Sequence, residues 1–262
     1  KFAVDYKEFD TKFGFLFNSY YNTVGERTLR RERGDLSRPP VEKVFEYRRY
    51  VDEHMRRLLG SDVSDELAEL ILLGLNHEQQ HQELFLTDLK FTLGVNPLNP
   101  VYKKTFALVE IGEIASNDFV GVDEGVYEIG FTGGGFHFDN ELGHHKVYLH
   151  EFSIGRNLIT NAEFIEFIEA GGYADHTLWH SEGLDWVRAN SIDSPLYWNK
   201  IDGDWNQFTL GGLRKVNPSN PVCHISYYEA AAFAEGKGLR VWAEFEWEAA
   251  SEQFDWGLRC EC

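Results

Sequence analysis

The hydrophobic pattern of this 262-residue chain changes at residues 97–100, which read Pro-Leu-Asn-Pro. Before that point, apolar residues recur at three- and four-residue spacing, which is typical of amphipathic helices. From about residue 118 the chain is rich in Gly, Trp and Asn, with short β-like runs at 126–131 and 145–154. The sequence therefore predicts an α+β protein, with a helical domain at 1–105 and a mixed α+β domain at 118–262.

Two long helices are predicted in the first domain. Residues 41–59 follow a pair of prolines, which are tolerated at a helix start. A second helix of about 28 residues is expected to start after Ser61 or Ser64 and to end at Gly94. The opening residues up to Val24 are also predicted to be helical. In the second domain, helices are expected at 161–170 and 226–236.

The charge of the chain limits its possible partners, and its cysteine content indicates the compartment. The chain carries 43 acidic and 25 basic residues, a formal charge of −18. Such a surface repels phosphate backbones and anionic lipids, so no nucleic-acid or membrane partner is expected. The apolar run at 67–75 is too short to cross a bilayer. No signal peptide is recognisable, and three cysteines do not make a disulfide framework. We therefore predict a cytoplasmic protein.

The most informative motif is Asn-His-Glu-Gln-Gln-His-Gln-Glu at 76–83, in the middle of the second long helix. His77 and His81 are four residues apart, so they share one face and could bind the same metal ion. Gln80 lies on that face as well, whereas Glu83 is about 120° away around the helix axis. A solvated polar helix face is the alternative interpretation.

The same residues also fit the zinc-protease motif His-Glu-x-x-His, in which Glu78 would be the general base. In one extended form of that motif, a glycine and a third histidine follow shortly afterwards. Leu84 stands at the glycine position, so this form is excluded. A distant Glu ligand stays open, and so does the protease hypothesis.

Over nearly its whole length the chain resembles the sulfoxide synthases of ergothioneine biosynthesis. The motif His77-x-x-x-His81-x-Glu83 is accompanied by Leu-Phe-Asn-Ser-Tyr-Tyr at 16–21, similar to the DinB-like helical domain of that family. Segments at 138–141 and 221–230 resemble its second domain, which is similar to formylglycine-generating enzymes and has a C-type-lectin-like fold. Both domain signatures occur in the order that the family has.

The resemblance implies a non-haem iron(II) enzyme that uses O2. It would join a cysteine-type thiol to C2 of N-α-trimethylhistidine (hercynine), giving a sulfoxide. His77 and His81 would be two of three iron ligands, and Gln80 would contact the trimethylhistidine. The family's third histidine has no counterpart here, because His54 lies on the wrong helix. We therefore expect the third ligand to precede Lys1.

Four further residues are assigned from the resemblance. Arg30 and Arg33, within an arginine-rich stretch at 27–38, resemble the pair that binds the carboxylate of the thiol donor. A solvated basic loop is the alternative. Tyr20 and Tyr21 would supply a catalytic phenol as a proton donor, and at most one of them can face the metal because neighbours on a helix are 100° apart. Aromatic core packing is the alternative.

The chain also departs from the family. Residues 240–248 read Arg-Val-Trp-Ala-Glu-Phe-Glu-Trp-Glu where the family has Arg-Leu-Pro-Thr-Glu-x-Glu-Trp-Glu, and a segment expected to complete the active site would follow Cys262. Ovothiol-type or selenium-using synthases and an inactive lectin-like binding protein remain alternatives. Formylglycine generation is disfavoured, because the copper-binding cysteine pair of those enzymes is not matched. Free cysteine is preferred over γ-glutamylcysteine as donor, because residues 17–21 resemble the cysteine-using branch.

Overall fold

The structure is a computed structural model that describes residues 5–18, 29–106 and 118–254. The helices of the described residues are α1 (Phe13–Leu16), α2 (Val41–Leu59), α3 (Asp65–Gly94), α4 (Asn161–Glu169), α5 (Ser181–Asn190), α6 (Tyr227–Gly236) and α7 (Glu244–Gln253). Short 3-10 helices occupy Arg30–Asp35, Asp139–Glu141 and His176–Leu178. The strands are β1 (Phe119–Val122), β2 (Gly125–Ile129), β3 (His145–Leu149), β4 (Phe152–Gly155), β5 (Trp198–Ile201), β6 (Asp204–Thr209) and β7 (Gly212–Lys215).

The chain divides into two compact units, residues 1–80 and 81–262. The division falls inside α3 because the last turns of that helix belong with the second unit. The domain limits 1–105 and 118–262 stay a prediction. None of the described helices is both long enough and apolar enough to cross a membrane.

The two long predicted helices are confirmed as α2 and α3. Ser64 caps α3, because its hydroxyl accepts a hydrogen bond from the backbone N–H of Leu67 at 3.4 Å. Of the described residues of α3, only Leu67 is buried. Apolar side chains on several sides of the helix remain exposed in the described part of the chain; they are Leu70, Leu72, Leu73, Leu75, Leu84, Phe85, Leu86 and Phe91. A DinB-like bundle around α3 therefore stays a prediction.

The predicted helix over the opening residues is wrong for the part that the structure describes. Between residues 5 and 18 only α1 is helical, and residues 19–28 lie outside the described residues. The ring centres of Phe13 and Tyr47 are 5.1 Å apart. The Tyr50 hydroxyl donates a hydrogen bond to the backbone carbonyl oxygen of Lys7 at 2.5 Å. These contacts with α2 fix the segment in an irregular path, although its aromatic residues repeat every four positions as in a helix.

The second unit contains small antiparallel sheets. β1 pairs with β4, β2 pairs with β3, and β5, β6 and β7 form a three-stranded sheet in that order. The β-like runs at 126–131 and 145–154 therefore correspond to real strands, and the helices expected at 161–170 and 226–236 are α4 and α6. The α+β content predicted from the sequence is confirmed.

One hydrophobic core of the second unit joins α4, α5 and α6. Phe164 is completely buried and stacks on Phe233 at 5.4 Å between ring centres. The other buried residues of this core are Phe167, Trp179, Val187 and Ala232. A second core joins Val122, Leu149 and Phe152 to Ala249 and Ala250 of α7. Helix α4 starts at a capping box, in which Thr160 and Glu163 satisfy each other's backbone N–H groups.

A buried carboxylate holds the start of α6. Glu229 is 2% exposed and accepts hydrogen bonds from the backbone N–H of Ser226 at 2.6 Å and from the Tyr173 hydroxyl at 2.5 Å. The Ser226 hydroxyl accepts from the backbone N–H of Glu229 and completes the capping box. Burial, followed by the hydrogen bond to Glu229, raises the pKa of Tyr173, so this phenol remains a donor.

Tyr173→Phe should lower the free energy of unfolding by roughly 1–3 kcal/mol, because a buried acceptor loses a hydrogen-bond partner. Tyr148→Phe is the control, since its hydroxyl donates to Glu124 at 3.0 Å on the exposed surface. The control substitution should lower the free energy of unfolding by less than about 0.5 kcal/mol. Urea denaturation of each variant measures both values.

The pH dependence follows from the raised pKa of Tyr173. Its folded-state pKa lies above the unfolded value of about 10, so its contribution to stability is complete below that pH and is lost as the pH rises further. The stability difference between wild type and Tyr173→Phe should therefore shrink in alkaline solution. Equal effects of the two phenylalanine substitutions at neutral pH would contradict the role given to this hydrogen bond.

Candidate functional site

The predicted metal-binding residues lie on α3, as the sequence motif requires. His77 and His81 are four residues apart on this continuous helix, which places them one turn apart on neighbouring parts of its surface. His77 is half-buried, whereas Gln80 and His81 are exposed. The helix therefore carries two imidazoles and one amide on neighbouring parts of its surface.

The chemistry of this donor pair fits a first-row metal ion, because imidazole nitrogen is a good ligand for iron and zinc. Within the described residues, no group of three or more His, Cys, Asp or Glu side chains lies close enough together to hold a metal. Helix α3 accordingly carries two candidate donors, and the metal site stays a prediction, as does its third ligand.

His54, which the sequence already argues against as the third ligand, makes contacts within its own helix. It lies on α2, where its Nδ1 is 2.8 Å from the backbone carbonyl oxygen of Tyr50. Its Nε2 is 3.4 Å from a guanidinium nitrogen of Arg57. Both ring nitrogens are thus engaged in contacts within α2.

The residues predicted to bind the donor and to supply a proton are only partly located. Arg30 and Arg33 lie in the 3-10 helix Arg30–Asp35, and nothing is described of their side chains. Tyr20 and Tyr21 lie outside the described residues. The roles given to these four residues stay predictions.

The structure adds a cluster of polar side chains that sequence reasoning missed. Near the end of α3, Lys90 Nζ lies 2.6 Å from Nε2 of His224, which belongs to the loop before α6. The same ammonium is 4.8 Å from the centre of the Tyr197 ring, and the rings of Tyr197 and His224 meet edge to face at 4.9 Å. All three residues belong to the second unit.

The electrostatics of this cluster favour a neutral imidazole. Burial, and then the nearby charge of Lys90, lower the pKa of His224 to about 4, and burial lowers the pKa of Lys90. At neutral pH the Lys90 ammonium therefore donates to the unprotonated Nε2 of His224. Because the folded-state pKa of His224 lies below its unfolded value of about 6.5, this stabilisation is complete above that pH and is lost as the pH falls towards 4.

The chain is similar to known proteins. Residues 106–258 match the family model described as the sulfatase-modifying factor enzyme 1-like domain. A hercynine oxygenase of Mycolicibacterium thermoresistibile is 33% identical over 180 residues, which cover 67% of this chain and 38% of that protein. The hercynine oxygenase of Mycobacterium tuberculosis is 31% identical over 178 residues, or 67% of this chain and 40% of that protein.

A formylglycine-generating enzyme of Streptomyces coelicolor is also similar, at 28% identity over 144 residues. The match covers 48% of this chain and 45% of that enzyme. The chain thus spans less than half the length of each of these three relatives.

Proposed function

Because this chain belongs to the sulfatase-modifying factor enzyme 1-like family, we propose that it is part of an oxygen-dependent sulfoxide synthase that acts on hercynine. The reaction joins the sulfur of a cysteine-type thiol to C2 of the hercynine imidazole. The thiol hydrogen and the C2 hydrogen leave as water with one atom of O2, and the other oxygen atom remains on sulfur. The names of the two hercynine oxygenases support this substrate.

The observation that carries the proposal is the pair of imidazoles on α3. His77 and His81 are one turn apart on α3, which suits a shared iron(II) ion. When bound, the iron supplies the activation of O2 and a site for the thiol sulfur. A third ligand from outside the described residues completes the set in this proposal.

The chain's other residues bind and orient the substrates. Gln80, beside His81 on α3, offers an amide that can donate or accept a hydrogen bond to hercynine. Arg30 and Arg33 hold the carboxylate of the thiol. The phenol of Tyr20 or Tyr21 donates a proton during the reaction and so favours coupling over simple oxidation of the thiol.

Formylglycine generation is the weaker candidate. The enzyme of Streptomyces coelicolor matches over 48% of this chain, whereas the two hercynine oxygenases each match over 67%. Cys223 is the one cysteine within the described residues. Formylglycine generation also gives no role to the histidine motif on α3, which the sulfoxide-synthase proposal explains. The zinc-protease hypothesis can be distinguished by experiment, because only that mechanism requires Glu78 as a general base.

An oxygen-electrode assay on the full-length protein tests the proposal. With iron(II), cysteine and hercynine, we expect O2 consumption and a sulfoxide that carries both substrates, identified by mass spectrometry. Histidine in place of hercynine is the control, and γ-glutamylcysteine in place of cysteine tests the choice of donor through kcat/KM. Oxygen consumption that does not require hercynine would instead indicate thiol oxidation alone, and peptide hydrolysis supported by zinc would favour the protease.

A further inference from the structure

The last turns of α3 contact two loops of the second unit through Lys90 and Gly94. Lys90 bonds His224 at 2.6 Å and lies over the ring of Tyr197. One turn further on, a Cβ atom at Gly94 would be 2.7 Å from Cε1 of Tyr197, so only glycine allows this approach of helix and ring. The two residues are four positions apart and therefore form a single contact face on the helix.

The bond made by Lys90 is directional. Lys90 is half-buried, and no carboxylate within the described residues forms an ion pair with it. Its partners are the lone pair of a neutral imidazole and the face of an aromatic ring, both of which require a defined approach. A surface ion pair would tolerate a range of helix orientations, whereas this arrangement selects one.

Both partners of Lys90 have an unusual backbone. Tyr197 has a φ of 75° and His224 a φ of 62°, in the left-handed region that residues with a Cβ rarely adopt. The backbone N–H of Leu196 donates to the carbonyl oxygen of His224 at 3.0 Å and ties the two loops together. The surrounding structure therefore holds two strained residues in the positions from which they contact Lys90.

Lys90 lies opposite His81 on the helix. Nine residues separate them, which at 100° per residue corresponds to half a turn around the axis and about 13.5 Å along it. Rotating α3 by about 20° about its axis would move the end of a side chain on the His81 face, roughly 6 Å from that axis, by about 2 Å. The same rotation would break the contact between Lys90 and His224.

We propose that Lys90 is a positioning residue, which fixes the rotation of α3 by bonding His224 and the Tyr197 ring and thereby sets the direction of the His81 imidazole. The inference rests on the proposed function in taking His81 as a metal ligand. It assigns to a lysine outside the metal motif the task of orienting that motif.

The test uses Lys90→Met in the full-length protein, with Co(II) as the metal probe. We expect about tenfold weaker Co(II) binding and an altered visible absorption spectrum of the bound ion. Lys90→Arg should restore part of the affinity, because it keeps a cationic donor. Lys200→Met is the matched control, since Lys200 also lies over a ring, that of Trp205 at 5.3 Å, but is not on α3. It should leave the affinity and the spectrum unchanged.

The partner residue supplies a second arm. His224→Leu should reproduce the effect of Lys90→Met, and the double variant should be no worse than either single one, because both changes remove the same interaction. Normal Co(II) affinity and spectrum in a folded Lys90→Met protein would overturn the proposal, as would an equal effect of Lys200→Met.

A metal-free measurement separates this proposal from the proposed function. In the protein labelled with 15N-histidine, the ring signal of His81 should shift on Lys90→Met and not on Lys200→Met. If that shift occurs but His81→Ala retains full metal affinity, the positioning role stands and the proposed metal site fails. If His81→Ala loses the metal but Lys90→Met changes neither the ring signal nor the affinity, the positioning role fails and the proposed function stands.

Discussion

Replacing either His77 or His81 with alanine in the full-length protein should abolish iron binding and turnover. Each substitution removes one of the two imidazoles that α3 presents one turn apart, and a site with a single ligand from this helix no longer holds the ion in a fixed position. Iron content after gel filtration and the rate of hercynine-dependent O2 consumption measure the two effects.

Glu78→Gln is the matched control, because it lies on the same turn of α3 and keeps the size of the side chain. The sulfoxide-synthase proposal needs no base at this position, so activity should fall only slightly. The opposite pattern, with Glu78→Gln inactive and zinc-supported peptide hydrolysis in the wild type, would replace the proposed reaction with a protease mechanism.

Arg30→Ala and Arg33→Ala should raise KM for the thiol donor far more than KM for hercynine. A charge-assisted contact to the donor carboxylate contributes about 1.5–3 kcal/mol, which corresponds to roughly a ten- to hundredfold loss of affinity. The trimethylammonium group of hercynine is cationic and gains nothing from an arginine. Steady-state kinetics with each substrate varied in turn measures the difference.

Arg48→Ala serves as control for the loss of one positive charge. Arg48 is exposed on α2, where its guanidinium forms an ion pair with Asp52 at 2.9 Å. Its replacement should leave both KM values unchanged. A parallel rise for both substrates in the Arg30 and Arg33 variants would argue against a donor-specific role.

Long helices were predictable because their signals are local. The start of α3 is marked by Ser64, its body by the apolar spacing and its end by Gly94, and each signal involves only a few neighbouring residues. The helix in the structure lies where these signals predict it. The same spacing was misleading between residues 5 and 18. There the contacts of Phe13 and of the Lys7 carbonyl with α2 determine the backbone, and contacts with distant residues are not encoded in a local pattern.

The candidate site shows the same limit. The pair His77 and His81 follows directly from helix periodicity, so the sequence alone could place it. The contact of Lys90 with His224 joins residues 134 positions apart, and it depends on a left-handed backbone at His224 that no sequence pattern announces. Sequence reasoning therefore found the candidate ligands and missed the contacts that hold their helix.

The buried carboxylate of Glu229 has a consequence for how the second unit folds. It bonds the first turn of its own helix and also the hydroxyl of a residue 56 positions earlier in the chain. Formation of the first turn of α6 therefore depends on distant residues. The carboxylate can be buried with both partners only after the loop that follows α4 has packed against this turn. Helix nucleation and long-range assembly are thereby linked in one cooperative step, and α6 cannot fray at its start without also releasing Tyr173.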